Sequence, residues 1–383
     1  MTVHTERRRA ARGGGISGRA PFRAVLAAWA CMAAAGCGLG TGDGGASAAG
    51  STTPPAAASS SAAPPSGPTA SASASPSAKP SSKAPATGPG SSTLVPALQT
   101  AAERAVGQNT AAALIALDMR NGEIAATVHR QAGMSGAVAP GSTFKIVTSA
   151  LLLNKGVVTP DGRVPCPATS TVNGQAFGNI KGMAMPAATF RQDFAHSCNT
   201  ALIDLRGRIG DRELSEFSTK YFGLNSDAWK VATGQGSVDG VVPPATSEND
   251  KAAQMIGQGA LKMNPLTMAS VVATAVTGQF HQPVLERGMP VHTTSAKLPA
   301  NVSKAIKSMM IECATTGSAK DVFRGMPGVG AKTGTAEVGD ATNGWMVAFR
   351  GNIAVAVYVE GGASGSSAAG PIIREFLTAV PAA

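Results

Sequence analysis

Apolar residues run almost without interruption through Ala112–Asp118 and again through 123–129, and the two runs flank Asn121-Gly122. That pair tolerates the positive φ angles of a tight turn, so the pattern predicts two adjacent antiparallel strands. Near the other end, 332–338, 345–350 and Ile353–Val359 read as three more strands, the last two joined at Gly351-Asn352. Between these groups, apolar positions at helical spacing, bounded by Gly, Pro or Asn, predict helices over 144–154, 200–209, 266–276 and 302–313. The expected fold class is α/β (α+β). A five-stranded antiparallel sheet, built from two distant chain segments and flanked by helices, would carry a mainly helical lobe.

The patterning begins only at about Leu94. Residues 41–92 contain no Val, Ile, Leu, Met or aromatic side chain and consist largely of Ala, Ser, Pro, Thr and Gly, so they cannot bury enough to fold. Their prolines favour extended conformers at about 3 Å per residue, which gives a tether a reach on the order of 150 Å. Ahead of it, Arg7, Arg8, Arg9, Arg12, Arg19 and Arg23 precede an uncharged stretch over 24–36 that is short for a membrane span, the layout of an export signal. Ala34-Ala35-Gly36-Cys37 resembles a bacterial lipobox, in which Cys37 carries lipid; cleavage after an Ala-x-Ala site and an uncleaved anchor are the alternatives. The expected organisation is a lipoprotein signal over 1–36, a lipid-anchored tether over 37–92 and one folded domain over 93–383, held at the outer face of the cytoplasmic membrane.

Charge narrows the function classes. Of the formal +10, the arginine-rich start carries +5 and the tether +1, leaving about +4 for the body. With few aromatics and no zinc-finger or RNA-recognition pattern, this excess argues against a nucleic-acid partner. Cys31 and Cys37 fall in the export segment; Cys166, Cys198 and Cys313 fall in the body without metal-ligand spacing. In an oxidising compartment two of the body cysteines can pair, Cys166 with Cys198 being one choice; three separate thiols is the other.

Three short strings carry candidate chemistry. Pro140-Gly141 breaks the chain just before an apolar run, which places Ser142 in the first turn of a buried helix, where backbone N–H groups are free. Lys145 returns to the same face. Held among Phe144, Ile146 and Val147, its charged form is disfavoured by desolvation, and a neutral amine beside a hydroxyl can take its proton. A helix cap with a snorkelling lysine is the bland alternative, yet no other lysine here follows a serine by three positions. Ser197-Cys198-Asn199 opens a helix and offers a hydroxyl for proton relay and an amide for substrate, or else plain N-capping. Ser247-Glu248-Asn249 matches the same pattern and shows how cheap it is. Lys332-Thr333-Gly334-Thr335 begins a strand at which an extended peptide could add. Lys332 and the hydroxyls of Thr333 and Thr335 would bind a carboxylate, and Gly334 would admit the substrate backbone.

Ser142-Thr143-Phe144-Lys145, Ala195-His196-Ser197-Cys198-Asn199-Thr200-Ala201, Gly257-Gln258-Gly259 ahead of Pro265-Leu266-Thr267, and Lys332-Thr333-Gly334-Thr335 followed by Asn343-Gly344-Trp345 occur in the order that serves penicillin-directed serine acyltransferases. The body resembles the transpeptidase domain of class B penicillin-binding proteins. The resemblance implies Ser142 as acylated nucleophile, Lys145 as its base, Ser197 as relay to the leaving amine and Asn199 as a contact of substrate and Lys145. It implies Lys332, Thr333 and Thr335 as carboxylate holders and the N–H groups of Ser142 and Thr335 as oxyanion hole. D,D-Transpeptidation of peptidoglycan stem peptides, blocked by β-lactams, would follow, with no metal or organic cofactor. A serine β-lactamase, a D,D-carboxypeptidase and a non-catalytic β-lactam sensor are the competing readings.

Overall fold

The computed structural model describes residues 88–294 and 296–382; the expected export signal, Cys37 and the tether up to residue 87 lie outside the described residues. Five strands form one antiparallel sheet: β1 (Ala112–Asp118), β2 (Ile124–Val128), β3 (Val329–Val338), β4 (Ala341–Arg350) and β5 (Ile353–Val359). Their order is β2-β1-β5-β4-β3, so the two chain segments join where β1 pairs with β5, Leu114 opposite Val357. The β4–β5 turn is the tight one expected, with Arg350 opposite Ile353 and Gly351 at φ 53. The β1–β2 turn is longer than two residues. The Asp118 carbonyl accepts from the N–H of Asn121 and Gly122, and β2 starts only at Ile124.

The strands are buried on both faces, which explains why they read as continuous apolar runs. Along β1, Leu114 and Ala116 point to one core while Ile115 and Leu117 point to the other. The first core is closed by α1 (Pro96–Val106) and α7 (Gly370–Thr378), which contribute Ala101, Ala102, Ile373 and Phe376. The second core is the larger and belongs to the helical lobe: α2 (Lys145–Asn154), α3 (Phe190–His196), α4 (Thr200–Asp204), α5 (Pro265–Thr277) and α6 (Ala300–Thr315), with further helices over Arg130–Ser135, Glu213–Phe222 and Glu248–Met255. α5 is almost wholly buried. Asn264 caps it by accepting from the Thr267 N–H at 2.9 Å, Pro265 takes the first position, where no N–H is missed, and Gly278 ends it at φ 80.

The helix expected over 200–209 is shorter than its apolar spacing suggested: α4 stops at Asp204 and a 3₁₀ turn over Arg206–Arg208 follows. Gly90 and Ser91, assigned by composition to the tether, hydrogen-bond through their backbone to Arg287, and Ser92 bridges to Glu286, a pairing that needs no apolar side chain. No helix among the described residues is long and apolar enough to cross a membrane.

Candidate active site

Ser142 lies in a 3₁₀ turn, Gly141–Phe144, that runs directly into α2. Gly141 takes φ 53, and a Cβ there would stand 2.3 Å from the Thr335 carbonyl oxygen. Only glycine lets the Ser142 turn meet the β3 edge this closely. From the other side, the Gly141 N–H donates to the Gly257 carbonyl at 2.9 Å, and a Cβ on Gly257 would fall 1.8 Å from the Gly141 oxygen. The Gly257-Gln258-Gly259 loop therefore clamps the turn. Thr143 Oγ1 donates to the Pro140 carbonyl at 2.7 Å, and Ser142 itself stays half-buried.

Lys145 opens α2 with its side chain fully buried. Its Nζ donates to the carbonyls of Ser197 at 2.8 Å and Cys198 at 3.0 Å, to Asn199 Oδ1 at 2.6 Å and, more weakly, to Ser197 Oγ at 3.4 Å. Ser142 Oγ is not among these partners; in this resting arrangement the lysine faces the Ser197-Cys198-Asn199 segment. Three carbonyl-type acceptors match the three N–H bonds of an ammonium.

Ser197 is the C-cap of α3, in the left-handed region at φ 65, and its side chain does not N-cap α4; its Oγ accepts from Lys332 Nζ at 2.8 Å. The look-alike Ser247 does cap one, accepting from the Asp250 N–H at 3.1 Å. Asn199 is more committed than expected: while Oδ1 takes Lys145, Nδ2 donates to the Gly178 carbonyl at 2.8 Å.

Lys332 is fully buried in β3. Besides Ser197 it donates to the Thr333 carbonyl at 3.0 Å, and its Nζ lies 5.8 Å from the Phe194 ring centroid. At Gly334 a Cβ would meet Thr143 Cγ2 at 2.8 Å and the Pro140 oxygen at 3.1 Å, so the glycine makes room for the Ser142 turn. Thr333 Oγ1 is paired with Ser318 Oγ at 2.7 Å. Thr335 remains half-buried, with its carbonyl 3.5 Å from Gln258 Nε2.

Two dry lysines in one site cannot both hold charge cheaply. Burial pushes Lys145 well below the usual lysine range, the neighbouring Lys332 pushes it further, and Asp193 opposes both. Burial lowers Lys332 to about 8, against a smaller opposing effect from Cys313. Asp193, one turn of α3 before Ser197, is 1% exposed, and neither carboxylate oxygen has a hydrogen-bond partner. Burial raises its carboxyl to about 7 although Lys145 pulls it down.

A disulfide joins Cys166 to Cys198, pinning the middle of this segment; Cys313 is a buried free thiol. An Asp193 carboxylate oxygen and the two sulfurs lie within 4.8 Å of one another, but the sulfurs are bonded and leave no thiolate for a metal. Asn179 completes the frame. Its Oδ1 accepts from the N–H of Asn199 at 2.7 Å and of Thr200 at 3.3 Å. Its Nδ2 donates to the carbonyls of Pro167 and Met183, each at 2.8 Å. Asn179, Asp193 and Ser318 were missed in the sequence, where no local pattern marks them.

The penicillin binding protein transpeptidase domain family matches residues 112–378. The peptidoglycan D,D-transpeptidase PbpA of Mycolicibacterium smegmatis is 30% identical over 273 residues, 63% of this chain and 54% of that protein. PbpA of Mycobacterium tuberculosis is 28% identical over 271 residues, with the same coverage. The chain thus spans about half the length of these relatives. Among solved structures, penicillin-binding protein A of M. tuberculosis, as its ceftriaxone acyl-enzyme complex, superposes with a TM-score of 0.64 at 25% identity, covering 75% of this chain and 79% of that one. The transpeptidase domain of Burkholderia pseudomallei penicillin-binding protein 3 shares the fold, with a TM-score of 0.66 at 20% identity over 79% of this chain and 96% of that one. With a family match over most of the folded body and the expected strings gathered in one site, the chain belongs to the penicillin-binding protein transpeptidase domain family.

Proposed function

We propose that the protein is a peptidoglycan D,D-transpeptidase, acylated at Ser142 by D-Ala-D-Ala stem peptides and inhibited covalently by β-lactams. The observation that carries this reading is the convergence of Lys145, Ser197, Asn199 and Lys332 on one hydrogen-bonded cluster behind the Ser142 turn. Lys145, once neutral, takes the Ser142 proton as the Oγ–acyl bond forms. The developing oxyanion is met by the N–H groups of Ser142 and Thr335, on segments that the Gly141 contact holds together. Ser197, between Lys145 and Lys332, passes a proton to the leaving amine; the D-Ala-D-Ala C–N bond breaks and D-alanine departs. An acceptor amine then attacks the acyl-enzyme, forms the cross-link and returns the proton to Ser142. Lys332 and Thr335 hold the terminal carboxylate, and Thr333 supports Thr335's strand through Ser318.

In the same reading, Cys37 carries lipid and the tether over 37–92 holds the domain over 93–383 at the outer face of the cytoplasmic membrane, within reach of stem peptides. The test is incubation with a D-Ala-D-Ala pentapeptide and an amine-bearing acceptor peptide, followed by mass spectrometry. Joined peptide with equimolar D-alanine is expected. Hydrolysed tetrapeptide alone would make the enzyme a carboxypeptidase, and no D-alanine release would refute the reading.

A further inference from the structure

Ser318 entered the steps above only as the partner of Thr333, yet it closes a ring of hydrogen bonds that runs through the proposed proton relay. Its Oγ shares a hydrogen bond with Thr333 Oγ1 at 2.7 Å. The Thr333 carbonyl accepts from Lys332 Nζ at 3.0 Å, and the same Nζ donates to Ser197 Oγ at 2.8 Å. Ser197 is tied back along α3, its N–H donating to the Phe194 carbonyl at 3.1 Å. The adjoining Ala195 carbonyl accepts from the Ser318 N–H at 2.9 Å, which returns the ring to its start. The Ser318 carbonyl is engaged as well, accepting from Ser366 Oγ at 3.1 Å. An ordinary helix end does not explain this arrangement. After α6 the N–H groups of Thr316 and Gly317 each donate to the Glu312 carbonyl at 2.9 Å, and that of Ala319 to the Cys313 carbonyl at 3.0 Å, so backbone alone closes the helix. The hydroxyls of Thr315 and Thr316 bond back to the carbonyls of Ile311 and Glu312, as such residues commonly do, whereas Ser318 Oγ crosses to β3. Gly317 brings the turn against α3, where a Cβ would stand 2.3 Å from the Ala195 oxygen.

We infer that Ser318 is a positioning residue for the proton relay: it fixes the spacing of Ser197 and Lys332, on which delivery of a proton to the leaving amine depends. The inference rests on the proposed transpeptidase reading. Because Ser197 Oγ accepts from Lys332 and, more weakly, from Lys145, its own O–H is left to turn toward the substrate. When the D-Ala-D-Ala C–N bond breaks, that hydrogen goes to the departing nitrogen and Oγ takes one from Lys145, which had received it from Ser142. The balance is one proton moved from Ser142 to D-alanine. Lys332 gives up no proton; its bond holds Oγ in place. Lys332 belongs to β3 and Ser197 to the end of α3, so their contact survives only while those two elements keep their separation. Ser318 is bonded to both. Without its hydroxyl, the N–H bond to Ala195 remains but β3 leaves the ring. The oxyanion hole is held elsewhere, by the contact of Gly141 with Thr335, so the defect should fall on the proton-dependent step.

The test compares two substrates on the full chain: a D-Ala-D-Ala pentapeptide, whose amine needs a proton to leave, and the thioglycolate thioester of N-benzoyl-D-alanine, whose thiolate does not. Both end in a carboxylate, so any change in carboxylate binding cancels in the ratio of their kcat/KM values. Ser318→Ala should lower kcat/KM for D-alanine release by about tenfold or more, and for thiol release by less than about threefold. Ser318→Thr, which keeps the hydroxyl, should restore the native ratio. Thr333→Val breaks the same bond from the β3 side; it should lower the ratio by a similar factor, and adding Ser318→Ala to it should cost little more. If Ser318→Ala does not fold, Thr333→Val carries the test. A purely structural role would slow both substrates alike, so an equal fall, or a ratio that stays at the native value, overturns the inference. Native protein that releases no D-alanine overturns the transpeptidase reading itself, an outcome distinct from a native protein that releases it and a variant with an unchanged ratio.

Discussion

Replacing both Cys166 and Cys198 with alanine should cost about 4 kcal/mol of stability while leaving much of the acylation rate intact. The bridge closes a segment with a sequence separation of 32, which contains α3 and Ser197. In the chain-entropy account a loop of this size restricts the unfolded ensemble by about 3.7 kcal/mol, between the values for 15- and 100-residue loops. For a domain of this size that corresponds to a fall in Tm on the order of 10 °C. Both cysteines are fully buried, so the double variant is a cleaner perturbation than added reductant. Activity should suffer less than stability because the segment has other anchors: Lys145 holds the carbonyls of Ser197 and Cys198, and Asn179 holds the amides of Asn199 and Thr200. Scanning calorimetry and the rate of fluorescent-penicillin labelling well below Tm would check both parts, with a rate loss under about tenfold expected. An unchanged Tm would refute the loop-closure argument. A hundredfold rate loss in a folded variant would mean that the bridge, and not the hydrogen bonds, places Ser197.

Asn179→Ala should do the opposite, removing the acceptor of two backbone amides and the donor to two half-buried carbonyls; a stability loss of about 2–4 kcal/mol and an acylation rate reduced at least tenfold are expected, and a rate within twofold of native would show that the segment holds itself. Gly141→Ala places a methyl group 2.3 Å from the Thr335 oxygen at a φ of 53°, so penicillin labelling should fall by more than a hundredfold; near-native labelling would contradict the close approach of turn and strand. Asp193 also predicts a pH-dependent stability. Its carboxyl is raised from 3.8 to about 7 in the folded state, so the folded protein binds the extra proton, and the cost of burying the charge grows as pH rises from about 4 to 7. Relative to native protein, Asp193→Asn should be little changed in stability at pH 4.5 and more stable at pH 8.5, by up to about 4 kcal/mol; a pH-independent difference in thermal melts would contradict this.

The sheet was legible because its strands are long apolar runs with glycine or asparagine at their turns, and burial on both faces leaves no polar alternation to blur them. α5 and α6 were legible for the related reason that large apolar side chains recur along them. α1 was not, since it buries chiefly Ala101, Ala102 and Val106, and alanine gives little contrast between faces. The same split runs through the site. Ser142, Lys145, Ser197, Asn199 and Lys332 stand in recognisable strings and do come together. The strings do not reveal that Asn199 is tied to Gly178, that Gly334 makes room for Thr143, or that Thr333 is tied to Ser318, because those partners are set by tertiary contacts over long separations. Asp193 was invisible for a different reason. A carboxylate on a short helix reads as a surface residue, and only tertiary packing, in which α3 lies against α6, buries it.

The central claim is that Ser142 is a nucleophile activated to form a lasting acyl-enzyme. Intact-protein mass spectrometry of the chain lacking residues 1–37, followed over hours with benzylpenicillin and with Ser142→Ala as control, tests it most directly. A single penicilloyl adduct that persists on the native protein, maps to the peptide containing Ser142 and is absent from the control is the predicted result. Rapid adduct turnover would make the protein a β-lactamase, and no adduct, or one that survives Ser142→Ala, would contradict the assignment of the site.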